Sequence, residues 1–416
     1  MLTCRHCGHP LSHPVIDLGT SPPANAYLDR AHLQQPELWY PLRVWVCDHC
    51  WLVQTEDFTG AEQLFTADYA YFSSYASSWL AHAQRYVQAM QHRFHLDSQS
   101  FVIEVAANDG YLLQYVQAAG IPCLGIEPTA ATAAAARTKG IPIQEAFFGV
   151  KLAQNLRDQG IQADLVVANN VLAHVPDIND FVAGFPLLLK PTGVVTFEFQ
   201  HVQNVIEKRQ FDTIYHEHFS YLSFHSASHL LEHHGLRVFD VEILPTHGGS
   251  LRVFAQRQDQ GIQPISAAVA HMITQEQQAG IPTLGFYQSL QSQAESIKND
   301  LISYLISQKN QGKKVIGYGA AAKGNTLLNF AGIRQDLLAY VADSNPAKQG
   351  KFLPGSRIPI VPPSKITLDR PDVIMIIPWN LESEIRHLLH TLIDWPAQTM
   401  VAIPHLRIHD LGTISA

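Results

Sequence analysis

Four consecutive side chains able to hold or move a proton, Tyr215, His216, Glu217 and His218, stand inside the stretch from Phe211 to Tyr221. A carbon–hydrogen bond yields when a base, the group that orients it and a donor for the resulting oxyanion converge, and this run carries all three kinds of group. The competing reading is a polar loop of solvated histidines, the ordinary fate of histidine in a chain that has 22 of them. Proton-transfer groups gather at functional clefts more than elsewhere, which favours an active site. His216 and His218 are two positions apart, whereas a helical zinc site needs ligands about four apart, so the run is not a zinc-protease signature.

A second kind of chemistry is written in the cysteines. Cys4 and Cys7 form one C-x-x-C pair, and Cys47 and Cys50 form another. Each pair can close a tight knuckle that presents two thiolates to one tetrahedral ion, and four thiolates fill zinc's preferred coordination with no open position. The pattern predicts a structural Zn2+ site that takes no part in the reaction. Disulfides are disfavoured in a reducing compartment, and a redox pair needs only one such motif. His6, His9, His13 and His49 lie nearby but are surplus to a four-sulfur site. Cys123, alone in the apolar run from Ile121 to Ile126, reads as a buried strand residue.

The elements that must position these groups follow from the hydrophobic pattern. At 416 residues the chain suggests two or three domains of about 100–200 residues each. Residues 1–65 carry the knuckles. The segment from Ala67 to Trp79 is rich in aromatic rings and hydroxyls and reads either as a lid over a polar ligand or as a surface turn with Tyr69, Tyr71 and Tyr75 packed beneath it. Strand and helix then alternate: a strand from Phe101 to Val105, a helix from Gly110 to Gly120, a strand from Pro122 to Glu127, a helix from Thr129 to Lys139, and strands from Asp164 to Asn169 and Gly193 to Glu198. Such alternation implies a parallel, helix-flanked sheet. The strands from Leu236 to Leu244 and Ser250 to Arg257 are joined by a link too short for a helical crossover, so they pair antiparallel. A parallel sheet closed by an antiparallel hairpin is typical of methyltransferases that use S-adenosylmethionine. Residues 261–312 read as mostly helical with no strong turn, and a second alternation follows from Lys314. The expected architecture is α/β: a zinc-binding module (1–65), a Rossmann-like methyltransferase domain with a terminal hairpin (66–260) and a second Rossmann-like domain (261–416).

Formal charge is −8 with acids and bases interspersed, and no basic stripe of the kind a nucleic-acid binder needs is present. No apolar run approaches the ~20 residues that span a bilayer, and the N-terminus lacks the charged-then-apolar order of a signal peptide. The expectation is a cytoplasmic protein, monomeric, with neither nucleic acid nor membrane as partner.

Two turns are candidate nucleotide sites. The turn from Glu104 to Gly110 joins the first strand of the sheet to its helix, where backbone N–H groups favour a cofactor. Ala106 and Asn108 stand where a dinucleotide fingerprint has glycine, so a pyrophosphate is disfavoured. S-adenosylmethionine has no phosphate; Glu104, Ala106, Asn108 and Gly110 are expected to hold it, with Glu127 at the end of the next strand on the ribose hydroxyls. Glu127 has an alternative reading as a carboxylate capping the helix that follows. The second turn, Gly317 to Gly324, carries Lys323, able to meet a phosphate, and Asp343 ends the next strand where a nicotinamide-binding domain keeps its ribose acid. An oxidoreductase with its cofactor there is thus a competitor, and the diphosphate of a nucleotide sugar fits Lys323 equally well.

With these parts in order, the chain resembles the sugar C-methyltransferases that act on nucleotide-linked keto-deoxysugars. The resemblance rests on the four-cysteine module, Asp68 to Tyr75, Ile103 to Tyr111, Asn169 to Val175, the Tyr-His-Glu-His block and Gly319 to Thr326, and spans nearly the whole length. It implies S-adenosylmethionine on the middle domain, Asn169 included, zinc in the first domain, and a nucleotide sugar between the middle and C-terminal domains. It further implies acid–base roles for Tyr215, Glu217 and His218, sugar contacts from Tyr69, Tyr75, Asn170 and His174, and diphosphate contacts from Lys323 and Asn325. His174 is a candidate oxyanion donor, although a strand-end histidine capping the next helix is an alternative. The expected reaction is removal of a proton from sugar carbon 3 beside a 4-ketone by His218, oriented or assisted by Glu217, then in-line methyl transfer. An O- or N-methyltransferase of a small metabolite and a nicotinamide-dependent sugar oxidoreductase or epimerase are the alternatives.

Overall fold

The computed structural model describes residues 2–58, 60 and 72–411 of the 416. They gather into two compact units: Met1–His13, Val46–Gln203 and Phe219–Leu284 form the first, and Pro14–Trp45, Asn204–His218 and Gly285–Ala416 the second. This differs from a division into three consecutive stretches. The chain returns to the second unit at Asn204, so Tyr215–His218 belong with the C-terminal α/β half. The physical reason is local anchoring. The Phe211 ring packs on Phe330 at 5.6 Å, and Thr326 Oγ1 donates a 2.7 Å hydrogen bond to the Ile214 carbonyl.

The first unit is built on a seven-stranded sheet. Its strands are β1 (Val102–Val105), β2 (Cys123–Ile126), β3 (Ile143–Gln144), β4 (Ala163–Asn169), β5 (Leu189–Gln200), β6 (Leu236–Leu244) and β7 (Ser250–Arg257), in the order β6-β7-β5-β4-β1-β2-β3. The β5-β4-β1-β2-β3 part is parallel, and the β6–β7 hairpin adds to β5 antiparallel, as the short link requires. Every residue of β1 is buried, the mark of a parallel strand covered on both faces. Strand order reverses between β1 and β4, which opens a crevice at their carboxyl ends.

Among the described residues the sheet is flanked by α1 (Ser77–Phe94), α2 (Leu113–Ala118), α3 (Ala130–Thr138), α4 (Val150–Asp158), α5 (Ile178–Leu188), α6 (Phe224–His233) and α7 (Ala267–Ala279), and a short helix, Val202–Glu207, leads out of β5. In α1 the buried residues Ala83, Tyr86, Val87 and Met90 recur at the three-and-four spacing of one helical face. α5 starts where Asp177 accepts the Asp180 N–H at 3.0 Å, a side-chain N-cap. Residues 261–312 are mostly helical, as expected, but the reading without a strong turn is corrected by the structure. α7 stops at Gly280, whose φ of 85° is left-handed backbone that ends helices.

The second unit holds α8 (Leu290–Asn310), β8 (Val315–Tyr318), α9 (Ala322–Phe330), β9 (Val341–Ala342), β10 (Ile360–Val361), α10 (Ser364–Asp369), β11 (Val373–Ile376), α11 (Glu382–Leu392), β12 (Ala397–Val401) and β13 (Arg407–Leu411). These strands form a six-stranded sheet in the order β10-β9-β8-β11-β12-β13, parallel except for β13. Among the described residues, no helix is long and apolar enough to cross a membrane.

Gly110 is the residue on which the first crevice most depends for its shape. Its φ is 74°, and a Cβ there would collide with Ile141 and press on Ala136 at 3.3 Å. Gly110→Ala is expected to lower stability by about 1–3 kcal/mol, read as a fall in melting temperature against wild type.

Candidate functional site

The four cysteines of the two knuckles converge in the first unit, with all sulfurs within 4.8 Å of one another. Cys4 and Cys50 sulfurs lie 3.5 Å apart, and Cys7 and Cys47 sulfurs 3.6 Å. A disulfide needs about 2.05 Å, whereas four sulfurs each about 2.3 Å from one ion sit at this spacing. The donor set therefore fits zinc. A hydrogen bond from Cys50 pulls the Cys4 thiol down to about 4, against the opposing effect of burial, and Gln54 Nε2 donates to the same sulfur at 3.3 Å. Asn179 braces the first knuckle through the Arg5 and His6 carbonyls at 3.1 and 2.9 Å. Nearby histidines bond elsewhere, His6 to Asn179 and His13 to Asp48.

At the carboxyl end of β1 the chain curls through left-handed backbone at Ala106, Asn108 and Gly110. Glu127, at the end of β2, ties the curl down. Its Oε2 accepts the Asn108 N–H at 2.9 Å, and its Oε1 accepts the Thr129 N–H at 2.9 Å and the Thr132 hydroxyl at 3.0 Å. Glu127 thus braces the loop and the start of α3 together. Ser73 N–H donates to Asn108 Oδ1 at 2.9 Å, laying the segment before α1 on this curl. Glu104, in β1 just before this curl, has both carboxylate oxygens buried without a hydrogen-bond partner among the described residues. It is 1% exposed, and burial pushes its carboxyl well above the usual range, with Tyr111 alongside.

Two further acceptors point to a ligand. Asp109 Oδ1 and Asn169 Oδ1 are buried and have no hydrogen-bond partner among the described residues, and buried acceptors without donors are costly. S-adenosylmethionine offers an ammonium and two ribose hydroxyls, the donors these atoms lack, and carries no phosphate that would need the missing glycines. Asp109 has a signal in sequence, an acid at the strand-to-helix turn, that the fingerprint comparison passed over. Beside Asn169, Asn170 has a φ of 51°, its N–H donates to the Glu198 carbonyl at 2.6 Å, and its buried Nδ2 lacks a partner among the described residues. His174 closes a short 3-10 turn from Leu172. Tyr75 is exposed, its ring against Phe72, and Tyr69 lies outside the described residues.

In the second unit the Tyr215–His218 run is fully organised. His218 Nδ1 stands 2.7 Å from the Thr213 carbonyl oxygen. A carbonyl only accepts, so Nδ1 carries the hydrogen, and the neutral ring keeps its lone pair on Nε2. Nε2 lies 2.8 Å from the Tyr215 hydroxyl, which donates to it. The group that orients His218 is thus a backbone carbonyl, where sequence suggested Glu217. Glu217 is 1% exposed and receives Asn25 Nδ2 at 3.0 Å and Asn25 N–H at 3.3 Å; burial, partly offset by these bonds, raises its carboxyl to about 7. His216 turns its Nε2 to the Pro41 carbonyl at 3.1 Å.

Lys323 and Asn325, expected on a diphosphate, lie on α9 in this same unit. Lys323 Nζ donates to Asn380 Oδ1 at 2.8 Å and sits 4.6 Å over the Trp379 ring; burial lowers its pKa, opposed by the charge of Asp212. Trp379 Nε1 donates to Asp212 at 2.7 Å. Asn325 is 1% exposed and gives its Nδ2 to the Ala24 carbonyl at 2.6 Å, next to the Asn25 that holds Glu217. Its observed role is to brace that loop. At the glycine turn both oxygens of Asp343 are taken by its own surroundings, from Ala320 N–H at 2.6 Å and Asn345 N–H at 2.7 Å. The Ala320 carbonyl is covered by Tyr27 and Lys348 at 2.6 and 2.8 Å.

Comparison with known proteins completes this geometry. Family models match for a zinc binding domain over residues 4–65, a methyltransferase domain over 79–241 and a C-methyltransferase C-terminal domain over 245–404. The chain is 33% identical over 407 residues to C-methyltransferase NovU of Streptomyces niveus, covering 97% of this chain and 96% of that protein. The chain belongs to the C-methyltransferase family. This C-methyltransferase uses S-adenosylmethionine as its methyl donor and carries zinc on its four cysteines; carbon methylation displaces the O-methyl, N-methyl and nicotinamide readings. Among solved structures, magnesium protoporphyrin IX methyltransferase of Synechocystis PCC 6803 with bound SAM is similar at 14% identity over 43% of this chain and 81% of that one, with a TM-score of 0.33. The PH0226 protein of Pyrococcus horikoshii OT3 is similar at 11% identity over 45% and 95%, with a TM-score of 0.37.

Two outcomes follow for this enzyme. Elemental analysis should find one zinc per chain, and Cys50→Ser or a strong chelator should lower the melting temperature by more than about 5 °C. A carboxyl whose folded pKa is raised favours folding while protonated, so the Glu217 contribution is complete below about 4.5 and is lost as pH rises towards 7. Glu217→Gln should flatten the fall of unfolding free energy across that window by up to about 3 kcal/mol, measured by denaturant titration at pH 4.5, 6 and 7.5.

Proposed function

We propose that this C-methyltransferase acts on carbon 3 of a nucleotide-linked 4-keto-deoxysugar. The observation that carries the reading is the Tyr215–His218 pair, in which an imidazole with its tautomer fixed by Thr213 presents a basic nitrogen to a phenol. A carbon beside a ketone is acidic enough for such a group to deprotonate. As the Tyr215 hydroxyl turns its hydrogen from Nε2 to the ketone oxygen, His218 Nε2 takes the proton and the electron pair of the carbon–hydrogen bond moves into the enolate; His174 is the alternative donor to that oxygen. S-adenosylmethionine supplies an electrophilic methyl group, so that the carbon–carbon bond forms as the carbon–sulfur bond breaks and the ketone returns.

Glu217, whose carboxyl burial raises to about 7, is proposed to assist this proton transfer, since acid–base groups work best near the ambient pH. Lys323 is the cation available to a diphosphate, and Tyr69, Tyr75 and Asn170 are the proposed sugar contacts. Similarity to NovU supports carbon as the methylated atom.

Mass spectrometry of wild-type reactions with S-adenosylmethionine and a panel of nucleotide-linked ketosugars should show one product heavier by a methyl group, bound to carbon. His218→Asn should lower kcat by about 10²–10⁴-fold while calorimetry gives an unchanged Kd for S-adenosylmethionine. Without the methyl donor, wild type should exchange the carbon-3 hydrogen with solvent deuterium. Silence across the whole panel sinks the sugar reading, and full turnover by His218→Asn removes it as base.

A further inference from the structure

A lysine at the end of a helix is ordinarily drawn to the last carbonyls of that helix, where the dipole favours a cation. Lys139, the residue that closes α3, reaches a different segment. Its Nζ donates to the Asp109 carbonyl at 2.7 Å and to the Ser74 hydroxyl at 2.9 Å, and lies 3.6 Å from Asp109 Oδ2. An ammonium has three hydrogens and no lone pair. This one side chain therefore joins the curl at the carboxyl end of β1 to the 3-10 turn Ser73–Tyr75 that leads into α1.

The same turn is tied to the curl twice more. Ser73 N–H donates to Asn108 Oδ1 at 2.9 Å, and Ser74 N–H donates to Asp109 Oδ2 at 3.3 Å. The curl is itself fixed, because Glu127 holds the Asn108 N–H. A lysine that only kept the surface soluble would leave its ammonium in water, whereas this one is 31% exposed and has partners on both segments.

The two carboxylate oxygens of Asp109 are treated unequally. Oδ2 receives Ser74 N–H and faces Lys139, while Oδ1 is buried with no partner among the described residues. Rotation about the last side-chain bond of an aspartate is broad and two-fold, so an unheld carboxylate would exchange its oxygens. Lys139 and Ser74 break that symmetry and leave Oδ1 for a ligand that brings donors. All of these residues lie in the first unit.

We infer that Lys139 is a positioning residue of the methyl-donor site, which orients Asp109 and keeps the Ser73–Tyr75 turn on the curl so that S-adenosylmethionine meets a fixed acceptor at Oδ1. Lys139 acts through Asp109 and the turn without touching the donor. Coupling of this kind is reciprocal, so bound donor holds the turn as firmly as the turn holds the donor. No covalent step is involved. The inference concerns the donor alone and stands whichever acceptor is methylated.

The test titrates S-adenosylmethionine and S-adenosylhomocysteine by calorimetry into wild type, Lys139→Met, Lys139→Arg, Asp109→Asn and the double variant of Lys139→Met with Asp109→Asn. Mass spectrometry follows amide hydrogen exchange over residues 72–76 with and without S-adenosylhomocysteine. Lys139→Met should raise both Kd values by about tenfold, the effect of losing one charged hydrogen bond, and Lys139→Arg should recover part of that loss. The double variant should bind no more weakly than Asp109→Asn alone, because both changes strike one carboxylate. S-adenosylhomocysteine should slow exchange over 72–76 in wild type and do so less in Lys139→Met. An unchanged Kd in Lys139→Met, losses that add in the double variant, or exchange that bound S-adenosylhomocysteine leaves untouched in wild type overturns the inference. A lysine of purely structural value would lower the melting temperature of the donor-free protein and move none of these readings. Should Lys139→Met fail to fold, Ser74→Ala, which removes one acceptor of the ammonium, carries the comparison: it should raise the donor Kd and weaken the protection of 72–76, and wild-type values for both overturn the inference.

Discussion

A carbonyl oxygen has no proton to give, and that elementary fact organises the second unit. Because the Thr213 carbonyl lies 2.7 Å from His218 Nδ1, the imidazole hydrogen is committed there and the opposite nitrogen is left basic. Thr213 closes a 3-10 turn from Phe211 whose neighbours are clamped on α9, by the Phe330 ring on one side and the Thr326 hydroxyl on the other. Asp212, inside the same turn, takes the Trp379 indole N–H, and burial raises its carboxyl to about 6. The chemistry of one nitrogen therefore depends on packing around a helix more than a hundred residues further along the chain.

In the first unit a different economy operates. Buried carboxylates at strand ends are satisfied by backbone N–H groups and hydroxyls, as Glu127 is by Asn108, Thr129 and Thr132, and such bonds make a loop rigid without using up every lone pair. Where satisfaction is incomplete, at Asp109 and Asn169, the molecule shows where a ligand with donors belongs. The zinc knuckles follow the same logic with sulfur, four acceptors of charge gathered where only a cation can reconcile them.

Much of this was legible in the residues because the signals are local. The knuckles need only two short spacings, and β1, β2 and β4 announce themselves as apolar runs. The hairpin of β6 and β7 follows from a link too short to cross over. α5 is equally readable, with Asp177 capping and Ile178, Phe181, Val182 and Phe185 on one face. What could not be read is carried by atoms without side-chain identity or by partners far away in sequence. The Thr213 carbonyl has no letter of its own. Asn25 reaches Glu217 across 192 positions. Asn325, expected on a phosphate, also ties α9 to the loop at Ala24, and the alternation of strands says nothing of that loop.

The path of the chain has an evolutionary corollary. Since Asn204–His218 and Pro14–Trp45 both fold with the C-terminal half, a junction near residue 260 separates two segments from the half they pack with. A chimera joined there would pair one parent's reactive loop with the other's supporting helix. Loop and helix therefore have to match at the Phe211–Phe330 ring contact, whereas the Thr326 hydroxyl reads a backbone carbonyl that any residue at position 214 supplies.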